Sequence, residues 1–140
     1  MRKQFLLAIC LLVGITGVLA EVRSSDVIIE NLCKQGERCM DEAKYDSSFY
    51  FYNAALSQNG VKSTDWYAKI INGRGLLYYT TGDMDSALAD KLEAVRLLNR
   101  KEHPDLEGLV DAYSTLGIIY RRRQMPDSAL VYYEKALDSA

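Results

Sequence analysis

Past residue 20, the side chains best suited to covalent or metal chemistry are Cys33, Cys39 and His103. A nucleophile needs a base within hydrogen-bond reach and a third group to orient that base, and a zinc site needs ligands at characteristic spacings. One histidine supplies no triad, and the three residues follow no recognised zinc spacing. The two cysteines stand six apart on one expected helix. Six residues advance about 9 Å along the axis, whereas bridged Cα atoms lie within about 7 Å, so they cannot form a disulfide while that helix stands. Cys39 reads as a buried core thiol, and Cys33 as a free thiol or a partner in an intermolecular disulfide. His103, next to Pro104, reads as a capping or surface residue.

Other charged and glycine-rich stretches are weighed the same way. Gly73-Arg74-Gly75 looks like a piece of a phosphate loop, but it lies in a helix-periodic segment with no preceding strand, so close helix packing accounts for it better. The carboxylates are scattered on outward helical faces, and no pair stands out as acid and base. Arg121-Arg122-Arg123 ends a helix, where cations complement the negative end of the dipole; binding a partner carboxylate or phosphate is the alternative. No catalytic residue, metal or cofactor is expected.

The elements that position these residues come from a unit written three times. In its clearest copy, 110–137, Tyr113, Leu116, Gly117 and Tyr120 recur at three- and four-residue steps on one helix, with Gly117 admitting a close neighbour. Ala129, Tyr133, Ala136 and Leu137 do the same on a second helix. A step of 42 residues takes Gly117, Tyr120, Ala129 and Ala136 back to Gly75, Tyr78, Ala87 and Ala94. A further 39 reaches Gly36, Cys39, Ser48 and Ala55. The copies diverge where Leu116 is matched by Arg74 and Gln35, and Tyr133 by Lys91 and Tyr52.

An aromatic residue, Leu-Gly, Tyr, then Ala, an aromatic and Ala across a helix-turn-helix resembles the tetratricopeptide repeat (TPR). Periods of 39 and 42 exceed the usual value of about 34, and with His103-Pro104-Asp105 before the last pair they resemble the long-helix variety of kinesin light chains and many bacterial proteins. The resemblance implies an all-α fold of three repeats, about 26–60, 63–100 and 104–140, stacked as a short right-handed superhelical solenoid.

Residues 1–20 open with Arg2 and Lys3, continue through an apolar run and end in Val18-Leu19-Ala20 before Glu21. They read as a secretory signal peptide cleaved after Ala20, so export to the periplasm or outside a bacterial cell is expected. A retained membrane anchor is disfavoured by the short run and by Gly14 and Gly17. Leu7-Ala8-Ile9-Cys10 resembles a lipobox, but Ile9 is too large and Cys10 comes too early. Cleavage leaves 15 basic against 19 acidic residues, a net charge of −4. That balance and the exported location argue against nucleic acid.

Helix by helix, the first has Val27, Ile28, Leu32, Gly36 and Cys39 as its apolar seam, with Ser25 or Asp26 as cap. The second, about 46–57, carries Phe49, Tyr52, Ala55 and Leu56 and ends at Asn59-Gly60. Ser63-Thr64-Asp65 caps the third, whose seam is Trp66, Ile70, Ile71, Gly75 and Tyr78. Thr81-Gly82-Asp83 turns into the fourth, 85–98, with Ala87, Leu88, Leu92, Val95 and Leu98. His103-Pro104 precedes the fifth, with proline favouring the first turn.

In TPR proteins the first helix of each pair lines a concave groove, and repeat phase assigns it here to Glu30, Cys33, Glu37 and Met40; Lys69, Asn72, Leu76 and Tyr79; and Asp111, Ser114, Ile118 and Arg121. The wall is acidic at one end, mixed in the middle and basic at the other. The Lys and Asn set that grips a C-terminal carboxylate in chaperone-binding members is absent, because Cys33, Glu37 and Gly73 occupy those places. The expected partner is a protein or peptide. Leu130, Val131, Tyr132 and Leu137 on the last helix suit self-association or further repeats, and membrane contact is expected only through an uncleaved signal segment. The leading reading is an exported non-enzymatic adaptor; the alternatives are a periplasmic sensory input segment of a larger regulator, and an enzyme.

Overall fold

The computed structural model describes residues 25–100 and 104–140. Six helices and no strand occur among them. Residues 25–41 (α1) are helical, followed by α2 (Tyr45–Leu56), a 3-10 turn at Val61–Ser63, α3 (Trp66–Thr81), α4 (Met84–Leu98), α5 (Leu106–Arg122) and α6 (Pro126–Ser139). They pair as α1/α2, α3/α4 and α5/α6. Each pair stacks on the next through α2 against α3 and α4 against α5, and α3 also touches α5. The expected signal peptide, Cys10 and His103 lie outside the described residues.

Each pair turns in the same way. Lys44 N–H donates to the Cys39 carbonyl at 2.8 Å and Ala43 N–H to that of Met40 at 3.0 Å. Asp83 and Gly82 repeat this on Tyr78 and Tyr79, and Met125 and Gln124 on Tyr120 and Arg121. This pair of hydrogen bonds closes a helix through one left-handed residue. That residue is Ala43 (φ 57°), Gly82 (φ 94°) and Gln124 (φ 59°), one at the same phase of every unit. Glycine fills the place only in the middle copy.

The pairs close over small residues. A Cβ on Gly117 would lie 2.5 Å from Tyr133 Cε1, and one on Gly36 would lie 2.8 Å from Tyr52 Cε1. Gly75 packs against Lys91 instead, with its Cβ position 3.2 Å from Lys91 Cγ. In the first and third copies the glycine is thus required by a ring sixteen residues later, whereas around Gly75 Asp90 Cβ at 3.1 Å and Lys91 leave a tight but looser fit. Ser48 Oγ adds a buried hydrogen bond to the Gly36 carbonyl at 2.8 Å.

Several local expectations are corrected. Val27 and Ile28 are exposed by 55% and 47%, and the buried seam of α1 runs through Ile29, Cys33, Gly36 and Cys39. Ser25 and Asp26 are both helical, within α1 instead of ahead of it. The Ser63 and Thr64 hydroxyls donate backward to the Gly60 and Val61 carbonyls instead of capping α3. Gly60 is left-handed (φ 77°), but it leads into the 3-10 turn while α2 already ends at Leu56. Pro104 precedes the α5 cap, where Asp105 accepts from Gly108 N–H, and the proline that opens a helix is Pro126. Leu92 and Leu137 are exposed, Leu137 by 77%.

Candidate functional site

The first helices of the three pairs, α1, α3 and α5, meet around a hollow of about 330 Å³. Met40, Tyr52, Leu76 and Leu98 give it an apolar floor, and Gly73 and Gly108 let the walls approach. Glu37 and Asp41 enter from α1, Lys69 and Asn72 from α3, and Asp105, Glu107 and Asp111 from the start of α5. Tyr52 arrives from α2 because Gly36 and Gly73 leave room for its ring; a Cβ on Gly73 would lie 2.6 Å from the phenolic oxygen.

A polar network ties the second pair to the third at this floor. Lys91, on α4, has no solvent exposure, and its ammonium donates to Asn72 Oδ1 at 2.8 Å and Asp111 Oδ2 at 2.6 Å. Asn72 Nδ2 in turn donates to the Gly108 carbonyl at 3.3 Å. Burial lowers the Lys91 pKa, and Asp111 opposes that shift. A second, partly buried contact is a fork: Arg74 Nε and Nη2 donate to Asp90 Oδ2 at 2.7 Å and Oδ1 at 2.9 Å, and Nη1 to Asn53 Oδ1 at 3.1 Å. The Gly73-Arg74-Gly75 stretch is therefore structural, inside α3.

Of the twelve residues assigned to the groove by repeat phase, Glu37, Met40, Lys69, Asn72, Leu76 and Asp111 line this hollow together. The rest do not. Cys33 lies beneath the surface with no exposure, its thiol 3.9 Å from Glu37 Oε1; burial first, and then the Glu37 charge, pushes its pKa up to about 12. Glu30 pairs with Lys34 along α1 at 2.6 Å. Tyr79 lies under the Arg122 guanidinium, 5.1 Å from the ring centre. Ser114 and Ile118 are half-buried farther along α5, and Arg121 is exposed. The basic end of the wall is thus no part of the hollow: Arg122 covers Tyr79, and Arg123 pairs with Asp85.

Sequence reasoning missed Asp41, Tyr52, Gly73, Leu98, Asp105, Glu107, Gly108 and the buried Lys91. Asp41 follows Met40 and Glu107 precedes Gly108, so both sit at helix ends where heptad-like phase gives little guidance. Tyr52 and Lys91 sit at equivalent positions, 39 residues apart, and each reaches the next repeat, Tyr52 at Gly73 and Lys91 at Asp111.

Among the described residues, no group of three or more metal-type ligands converges, and Cys33 and Cys39 are both buried. The hollow combines an apolar floor, a polar network and a carboxylate-rich rim. Residues 66–140, the second and third pairs, match a family model described as a tetratricopeptide repeat. No curated protein matches the chain.

Proposed function

Because the chain belongs to the tetratricopeptide repeat family, whose repeats mediate protein–protein interaction, we propose that it is a non-enzymatic adaptor that holds a segment of a partner protein in the hollow between α1, α3 and α5. The observation that carries this reading is the convergence of side chains from three successive units on one apolar-floored groove. An extended peptide or a single helix is the guest such a groove accommodates. Replacing Leu76 by Arg, with Met40 by Arg, should abolish co-purification of the partner while the thermal melt by circular dichroism stays within a few degrees of wild type. Retained co-purification would move the site away from the groove.

The proposal extends to export, with cleavage after Ala20. Its support is the sequence of residues 1–20: Arg2 and Lys3, the apolar run, and small residues before Glu21. N-terminal sequencing of the protein from its own cells tests it, and a mature chain beginning at Glu21 is the expected result.

A second reading has its own observation. Leu130, Val131 and Leu137 stand 58%, 47% and 77% exposed on α6. Leu130 and Leu137 are the equivalents of Leu88 and Val95, which pack into the core beside α5. That face suits a further helix, and on this second reading the chain is a periplasmic sensory input segment of a larger signalling regulator. A covalent mass well above that of this chain would decide for it.

A further inference from the structure

The rim of the groove is unevenly charged, and the inference drawn from it rests on the adaptor reading above. Its rim carries five carboxylates, Glu37, Asp41, Asp105, Glu107 and Asp111, against one lining cation, Lys69. Two are already matched, since Lys69 Nζ lies 3.3 Å from Glu37 and Lys91 Nζ lies 2.6 Å from Asp111. Asp105 accepts the Gly108 N–H. Asp41 and Glu107 form no ion pair among the described residues, and both line the hollow together with Met40 and Leu76.

The molecule also carries its own example of what these groups bind. The Lys91 ammonium reaches the groove floor from behind and is held by Asp111 and the Asn72 amide oxygen. A second ammonium, that of Lys69, enters from the side onto Glu37. Both are primary ammonium groups on aliphatic stems, and the remaining carboxylates border an apolar floor that suits another such stem.

We propose that the groove selects a partner segment bearing an exposed lysine or arginine beside aliphatic residues, its stem on Met40 and Leu76 and its charge between Asp41 and Glu107. An acidic segment is turned away by the same rim. Charge complementarity of this kind sets partner choice and encounter rate more than raw affinity.

The test is selection of a phage-displayed random-peptide library on the immobilised protein. Wild type should select peptides enriched in Lys and Arg. Asp41→Asn with Glu107→Gln should cut that enrichment roughly 5-fold or more, whereas the same charge change on α6, Glu134→Gln with Asp138→Asn, should leave it intact. Selected peptides that are neutral or acidic overturn the inference, as does enrichment that survives in the first variant or falls equally in the second. Leu76→Arg separates the two levels. If neutral peptides are selected by wild type and lost with Leu76→Arg, the groove reading stands and the charge preference falls. If selection is absent, or indifferent to Leu76→Arg, the groove reading itself fails. Melts by circular dichroism verify that each variant is folded.

Discussion

Gly117 and Tyr133 are in contact across the α5/α6 pair so closely that a Cβ on the glycine would sit 2.5 Å from the ring. Gly36 and Tyr52 hold the same relation in the first pair, at 2.8 Å, and Gly75 and Lys91 a looser one in the second, at 3.2 Å. Overpacking a fitted contact costs about 1–3 kcal/mol, partly offset because alanine favours a helix by about 1 kcal/mol over glycine. Gly117→Ala should therefore lower stability in urea by about 1 kcal/mol, and Gly117→Leu by more. Adding Tyr133→Ala should remove most of the further penalty, and a double-mutant cycle measures that coupling.

The three left-handed turn residues make a prediction of opposite sign. A non-glycine residue in that region costs about 1–2 kcal/mol. Ala43→Gly and Gln124→Gly should each stabilise the fold by about 0.5–1 kcal/mol, and Gly82→Ala should destabilise it by a similar amount. No atom lies within 4 Å of a Cβ placed on Gly82, so any loss there comes from the backbone alone. Denaturant midpoints on the three variants check the signs together.

Lys91 stands where the other copies have Tyr52 and Tyr133, and its charge is tolerated because Asp111 and Asn72 receive it. Removing one partner of a buried pair costs about 3–5 kcal/mol; Asp111 is 41% exposed, so Asp111→Ala should cost less, about 1–3 kcal/mol. Lys91→Ala should cost about 2–4 kcal/mol through lost volume, and Lys91→Tyr distinctly less than Lys91→Ala. Equal losses for the two Lys91 variants would mean that the position does not accept the ring its counterparts carry.

Cys33 makes stability depend on alkaline pH. Its pKa is raised from 9.0 to about 12 in the folded protein, so the fold favours the neutral thiol. The stability this provides is fully present below pH 9.0 and is lost as pH rises toward about 12. Wild type should lose stability across that window faster than Cys33→Ala, whose overall stability is lower at neutral pH. The native thiol should also resist alkylation and react once urea unfolds the chain. Prompt native reaction would return Cys33 to the groove surface.

The repeat was legible because its small residues carry the phase: Gly36, Gly75 and Gly117 are each fixed by a contact with a residue on the return helix. The groove was half legible for a physical reason. The first helix of each pair is packed by its own partner and by its neighbour in the inner layer, and α3 and α5 also by the preceding pair, so its buried arc is wider than a single stripe. Ile29 and Cys33 are buried within that arc in α1, and Asn72 and Leu77 in α3, which is why a one-stripe reading placed Cys33 in the groove and Val27 in the core. Lys91 was illegible, since a lysine on an amphipathic helix reads as outward until Asp111, twenty residues on, is seen beside it. The left-handed turns were legible only at Gly82; Ala43 and Gln124 share its phase but not its composition.

The central claim, that a partner segment lies in the hollow between α1, α3 and α5, is tested most directly by placing a photoreactive phenylalanine analogue at Leu76 and, separately, at Tyr50, which is 70% exposed on the outside of α2. Illumination in the cells that make the protein should yield one discrete adduct from position 76 and none from position 50. An adduct from position 50 with none from position 76 would contradict the account and put the binding surface on the outer helices.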